Sequence, residues 1–351
     1  MKNYPYSLLY GLLFTLLLPV AVFSQSSSQA VILQYHHVST ETPASTSLSS
    51  KQFEAHMTYL KDNGFSILPL PEVITALNNQ QQLPDKTIVI TFDDGYTSVY
   101  QNAYPVLKQL NWPFTILVTT GLIDNNPGLY ASWDQLREMA DNGATIANHT
   151  VTHPYLLELN QNESKQAWLN RVVDEINSAE NTIKSETGHN YKILAYPYGE
   201  HDENLQTLIN EMGYIGLAQN SGAINENSDF SALPRFPMSG IYASINSFST
   251  KVHSLAFSKF EFTPASPITQ DSRPALEVQF FDNQPGLEQL SCYHQDEAIE
   301  ITEKTNREDV FEIETSVSNS SRRFRFNCTA PGENGRYYWL SKQWINPTIS
   351  D

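Results

Sequence analysis

The chain has 351 residues, enough for one large domain or two. Its formal net charge of −17 argues against nucleic acid and polyanionic partners, and suits a neutral polymer or one that becomes cationic. Its two cysteines, Cys292 and Cys328, lack the paired spacing of a cysteine zinc site.

The N-terminus reads as a secretory signal peptide over residues 1–24. Lys2 supplies the charged region, Leu8 to Val22 the apolar run and Val22-Phe23-Ser24 the cleavage site. A membrane anchor is the alternative, but the run holds Gly11 and Pro19 and is short for the ~20 residues of a bilayer span. The chain is therefore expected to be exported, to the periplasm or beyond, without stable membrane insertion after cleavage. In an oxidising compartment Cys292 and Cys328 are expected to pair. Ser24–Ser28 reads as a spacer.

Apolar runs at Val31–His36, Ser66–Leu68, Thr87–Phe92, Phe114–Val118, Ala144–Ala147, Lys192–Tyr196 and Ile215–Ala218 predict strands, with an eighth near Ala232–Phe236. Helices are predicted between them. Ser50–Asn63 carries Phe53, Met57 and Leu60 at helical spacing, and Ser132-Trp133-Asp134-Gln135 reads as a capping box. Asn162–Thr187 stops at Gly188 and Asp202–Met212 at Gly213. Repeated strand–helix units predict a parallel sheet, and seven or eight of them a distorted (β/α) barrel. A doubly wound open sheet is the alternative, without a glycine-rich phosphate loop to favour it. Residues 259–271, with Pro264 and Pro267, read as a linker after a catalytic domain over 30–258. Leu276–Phe280, Phe311–Glu314 and Phe324–Phe326 alternate with period two, which predicts a small antiparallel β-sandwich over 272–351. Tyr337, Tyr338, Trp339 and Trp344 there could stack on sugars, though core packing is the commoner use of such residues.

The chemistry gathers at the predicted strand ends. Thr91-Phe92-Asp93-Asp94-Gly95-Tyr96 sets two carboxylates side by side, an arrangement that a cation relieves. His149 and His153, spaced i, i+4, sit in His149-Thr150-Val151-Thr152-His153-Pro154; the β-branched residues and Pro154 argue for a loop rather than a helix. Asp94, His149 and His153 make a three-ligand divalent metal site, suited to zinc first, then cobalt or nickel. Asp93 is left as general base for the attacking water; the alternative is a cap on the helix after Tyr96. Gly95 is expected to give a tight turn that lets substrate approach the backbone.

The Asp93-Asp94 and His149-x-x-x-His153 motifs together resemble the NodB-type polysaccharide deacetylases, carbohydrate esterase family 4, over about residues 30–240. The resemblance implies removal of N-acetyl groups from N-acetylglucosamine-containing glycans of the poly-N-acetylglucosamine or chitin type, releasing acetate. Ala195-Tyr196-Pro197-Tyr198-Gly199 resembles the family's third motif, in which the N–H after the proline stabilises the oxyanion; here that residue is Tyr198. The arginine many members carry two before that proline, to orient the base, is Ala195 here. Arg235 is the candidate substitute, with a surface salt bridge as its alternative role. The family's acid histidine lies in a Leu-x-His pattern, which Val252-His253-Ser254 does not match. Gln34-Tyr35-His36-His37-Val38, Phe53, Gly64-Phe65 and Leu83-Pro84 resemble the poly-β-1,6-N-acetylglucosamine deacetylases of the same family. That implies that His36 lines the site or transfers a proton; a structural histidine is the alternative. An O-acetyl esterase acting on xylan and a non-catalytic glycan-binding protein remain rival readings.

Overall fold

The computed structural model describes Met1 and residues 28–294, 297–304, 307 and 309–350. The expected signal segment, Met1 apart, and most of the Ser24–Ser28 spacer lie outside them. Among the described residues no helix is long and apolar enough to cross a membrane.

The first body of the molecule is a nine-stranded sheet. Its main path runs Ile224–Asn225, Gln29–Tyr35, Thr87–Asp94, Phe114–Val118, Ala144–Asn148, Ile193–Ala195, Ile215–Leu217. The path is open and branched rather than a regular one-strand-per-turn circuit. Thr87–Asp94 is long enough for one edge to take Ser66–Ile67 at Thr87–Ile88 and Phe114–Val118 at Thr91–Asp94. The two ends of the path are brought together by residues 233–238. Leu233 exchanges hydrogen bonds with Gly216 and Ala218, while Phe236–Pro237 pairs in parallel with Leu33–Gln34.

Strand alternation gives this sheet two distinct faces. Val31, Leu33, Ile88, Ile90 and Phe92 pack with Phe53, Met57 and Leu60 of the helix Ser50–Asp62. Ile32, Val89, Leu117, Ala147 and Leu217 pack instead with Leu70, Val73, Ile74 and Leu77 of the helix Leu70–Asn78. One step further along the strands, this second face turns polar at Gln34, Thr91 and Asp93, all fully buried. The helices obey their sequence signals: Ser49–Gln52 and Ser132–Gln135 form reciprocal capping boxes, and Lys165–Thr187 ends at Gly188 in the left-handed conformation.

The second body is an antiparallel sheet of seven strands: Phe260–Thr263, Leu276–Phe280, Val310–Glu314, Glu297–Glu303, Ser291–His294, Arg323–Pro331 and Tyr337–Ile345. Hydrogen bonding runs through it without a break, and the strand Glu297–Glu303 divides it into two halves. Residues 297–299 pair with Ser291–His294, and residues 300–303 with Val310–Glu314. Side chains from both halves, among them Val278, Ile313, Phe326, Leu340 and Trp344, share one core. The stretch 259–271 is not simply a linker. Phe260–Thr263 pairs with Leu276–Phe280, because Phe260 and Phe262 lie against that core. Cys292 and Cys328 form a disulfide between directly opposed positions of neighbouring strands.

The last strand also docks on the first body. Leu255 exchanges backbone hydrogen bonds with Tyr337 and Trp339, and Trp339 meets Phe236 edge-on. Trp344 is core, while Tyr337 is exposed.

Candidate metal centre and active site

Asp94, His149 and His153 converge at the carboxyl ends of the strands Thr87–Asp94 and Ala144–Asn148. Each offers one ligand atom, and the three atoms lie within 4.8 Å of one another. His149 is fully buried, and its Nδ1 lies 2.8 Å from the carbonyl of Ala195. A carbonyl only accepts, so Nδ1 carries the proton and Nε2 presents a lone pair. That Nε2 is buried without a hydrogen-bond partner, 3.5 Å from Asp94 Oδ1. His153 Nε2 is 3.6 Å from the same oxygen. Burial lowers the His153 pKa to about 4 against the opposing pull of Asp94 and Asp93, so this imidazole too presents a lone pair. Two neutral imidazoles, a carboxylate and an orphaned lone pair fit a divalent cation.

The loop that delivers the histidines is held from behind by the helix Lys165–Thr187. The Glu175 carboxylate accepts from the N–H groups of Val151 and Thr152 and from the Thr152 hydroxyl. Asn148 donates to Ile176 O and Glu180 and accepts from Thr150 N–H. These bonds sustain positive φ at Thr150 and His153, a conformation a β-branched threonine rarely adopts. As the β-branched run and Pro154 suggested, the segment is a loop.

Asp93 is fully buried and held from three sides. Arg235 grips it with two hydrogen bonds, Nη1 to Oδ1 at 2.6 Å and Nη2 to Oδ2 at 2.8 Å. Gln34 Nε2 donates to Oδ2 at 2.6 Å, and His36 Nε2 stands 3.9 Å from the same oxygen. Burial would raise the Asp93 carboxyl. The Arg235 guanidinium outweighs that and holds it well below the usual carboxylate range. Arg235 is itself fully buried and aimed by Ala218 O and Thr91 Oγ1, so it is no surface ion pair. Nor does Asp93 cap a helix. Gly95 has positive φ, and a Cβ there would lie 3.1 Å from Val118 Cγ1. Conformation and packing against Val118 thus account for this glycine without a substrate.

Tyr198 lies in the turn Pro197–Gly199 with φ 59°, its ring 4.5 Å from that of His153 and stacked at 3.9 Å on Tyr155. Asp93, Asp94, His149, His153, Tyr198, His36 and Arg235 are therefore linked in one continuous cluster. His253 stands apart, against Tyr59 and Phe65.

Residues 80–217 match the polysaccharide deacetylase family. YxkH of Bacillus subtilis (strain 168), a polysaccharide deacetylase by name, is 32% identical over 222 residues, which cover 62% of this chain and 74% of that protein. The chain belongs to the polysaccharide deacetylase family. A poly-beta-1,6-N-acetyl-D-glucosamine N-deacetylase of Staphylococcus aureus (strain MRSA252) is 26% identical over 240 residues, 63% of this chain and 82% of that protein. Among solved structures, Streptococcus pyogenes deacetylase PplD, in complex with acetate, superposes with a TM-score of 0.58 at 24% identity. That match covers 65% of this chain and 99% of that one, and it shows a shared fold.

Several members of this deacetylase's site were not foreseen from sequence. Gln34 was open to inference, as a polar residue two before His36 in an otherwise apolar strand. Glu175 and Glu180 were not, because carboxylates on a long helix look like its solvated face. Tyr96 lies inside the aspartate motif; burial first, then the nearby Asp94 carboxylate, push its hydroxyl pKa up.

Proposed function

We propose that this polysaccharide deacetylase hydrolyses N-acetyl groups on N-acetylglucosamine-containing polysaccharide or oligosaccharide, of the poly-N-acetylglucosamine or chitin type. Acetate is released and the amine stays on the polymer. The observation that carries this reading is the buried Asp94–His149–His153 cluster, with its unpartnered Nε2, beside a carboxylate locked by a buried arginine. The name of the Staphylococcus aureus relative and the acidic charge of this chain support the choice of polymer.

Asp94, His149 and His153 would hold the metal; imidazole nitrogens with one carboxylate suit zinc first, with cobalt or nickel also accommodated. Bound there, the cation would supply Lewis acidity, polarising the acetyl carbonyl and acidifying a water. Asp93 is the base that takes the water's proton. Arg235 and Gln34 fix its plane and keep it ionised, which trades basicity for orientation. The backbone N–H of Tyr198 is the oxyanion donor. His36, partly exposed and within 3.9 Å of Asp93, lines the site and passes a proton to the departing amine.

In this reading the curled sheet, closed through residues 233–238, is a distorted (β/α) barrel. Residues 30–258 form the catalytic unit and 272–351 an accessory unit with its own core. Export through residues 1–24, to the periplasm or outside the cell, accords with the disulfide.

The deciding experiment is a side-by-side measurement of acetate released by the metal-loaded protein from chitooligosaccharides, poly-β-1,6-N-acetylglucosamine and acetylated xylan. Release from the N-acetylated substrates is expected. Release from xylan alone would make the protein an esterase. Stoichiometric metal and glycan affinity without turnover would make it a binding protein.

A further inference from the structure

Glu200 directly follows the turn that carries Tyr198, and its carboxylate is fully buried. Three charge-assisted hydrogen bonds hold it, all from the second body. Arg322 donates through Nε at 2.6 Å and Nη2 at 2.8 Å, and Arg323 through Nη1 at 2.7 Å. A buried carboxylate is tolerated only with such partners. The next carbonyl back, Gly199 O, accepts from Gln343 Nε2 at 3.1 Å. On the other flank the turn abuts Gln219, where a Cβ on Gly199 would lie 2.9 Å from Gln219 N. Gln219 O is in turn bound by Arg325 Nη1 at 2.8 Å. The same arginines cover the aromatic pair beside the metal ligands. Arg322 lies 4.2 Å from the Tyr155 ring centre and Arg323 5.2 Å from that of Tyr198.

The turn holds consecutive positive φ angles at Tyr198 and Gly199, and a tyrosine keeps that conformation only where its surroundings impose it. Those surroundings include Arg322, Arg323 and Gln343 of the second body as well as Tyr155, His153 and Gln219 of the first. We propose, resting on the functional reading above, that the antiparallel sheet is a working part of the active site. Through the Glu200–Arg322–Arg323 clamp it positions the Pro197–Glu200 turn, and with it the oxyanion donor. Arg323 and Glu200 are positioning residues: they act on turnover through Tyr198 and touch neither metal nor substrate.

The test uses the full chain with metal bound. Arg323 is partly exposed, so Arg323→Ala removes one clamp bond with little risk to folding. It should lower kcat for acetate release about 10- to 100-fold while KM changes by no more than about twofold, because a misplaced donor is felt in the transition state. Metal stoichiometry should be unchanged, and Arg323→Lys should restore part of the loss. Amide hydrogen exchange over residues 196–201 should quicken in Arg323→Ala and in Glu200→Gln. If both variants fold, keep kcat within about twofold of the parent and leave that exchange unchanged, the sheet is only packed against the site and the proposal fails. A parent protein that releases no acetate would instead defeat the functional reading, and the exchange measurement would still decide whether the clamp orders the turn.

Discussion

In the parallel sheet one group of buried polar side chains, Gln34, Thr91, Asp93, His149 and Arg235, lies together at the carboxyl ends of the strands. In the antiparallel sheet another group lies along the strand Tyr337–Ile345, where Ser341, Lys342 and Gln343 are consecutive and all buried. The first arrangement is what chemistry requires: unlike charges brought together in a dry pocket, where each fixes its neighbour. The second follows from burying both faces of one strand. One face feeds the sheet's own core, and the other meets the first body through groups such as Gln343. Burial of polar groups therefore does not by itself signal catalysis: His149 and Asp93 sit beside a cluster of metal-ligand type, whereas Gln343 and the Glu200–Arg322 pair mark a docked surface.

Four measurements would break or sharpen this contrast. The largest effect is expected at the centre of the catalytic cluster. Asp93→Asn should lower kcat about 10³-fold or more while metal content stays stoichiometric. Loss of the metal instead would show that Asp93 and Asp94 do not divide their roles as proposed. Next comes Arg235→Met, which leaves Asp93 buried and uncompensated. It should destabilise the protein by about 3–5 kcal/mol in urea titrations at pH 7. A change below about 1 kcal/mol would mean that the pair is incidental.

In the antiparallel sheet the comparable loss should come from a covalent constraint. Replacing Cys292 and Cys328 together by serine opens a loop with a sequence separation of 36, worth about 3.8 kcal/mol in the chain-entropy model. A separate early melting transition should appear, with activity intact below it; an unshifted transition would deny the disulfide its stabilising role.

The smallest effect concerns a histidine away from the chemistry. His56 is buried, stacked on Phe248 at 3.9 Å and bonded to Tyr35 and Ala243. Burial lowers its pKa to about 4, against about 6.5 in an unfolded chain. Between those values the folded protein binds fewer protons than the unfolded one. Its contribution is therefore complete above about pH 6.5 and lost as pH falls towards 4, amounting to about 3 kcal/mol at most. His56→Gln should flatten the dependence of the urea midpoint between pH 7 and pH 4.5. Parallel curves for the two proteins would rule this out.

Residue order was enough for the elements and for much of the site. The strand over Thr87–Phe92, the capping box at Ser132, the stop at Gly188 and the loop between His149 and His153 all follow from local patterns, while the grouping of Asp94 with the two histidines follows from the chemistry of the paired motifs. Local patterns suffice there because period, caps and short-range spacing act within a few turns of chain. Arg235 could be proposed but not placed, since its grip on Asp93 depends on residues 233–238 bringing the ends of an open path together. The same limit hid the role of Phe260–Thr263, which looks like linker until Leu276–Phe280 lies beside it. Glu200, Arg322 and Arg323 carry no signal at all in the sequence. Charged residues default to the surface, and only the docking of one sheet on the other buries Glu200 and Arg322 and brings Arg323 to them behind the Pro197–Glu200 turn.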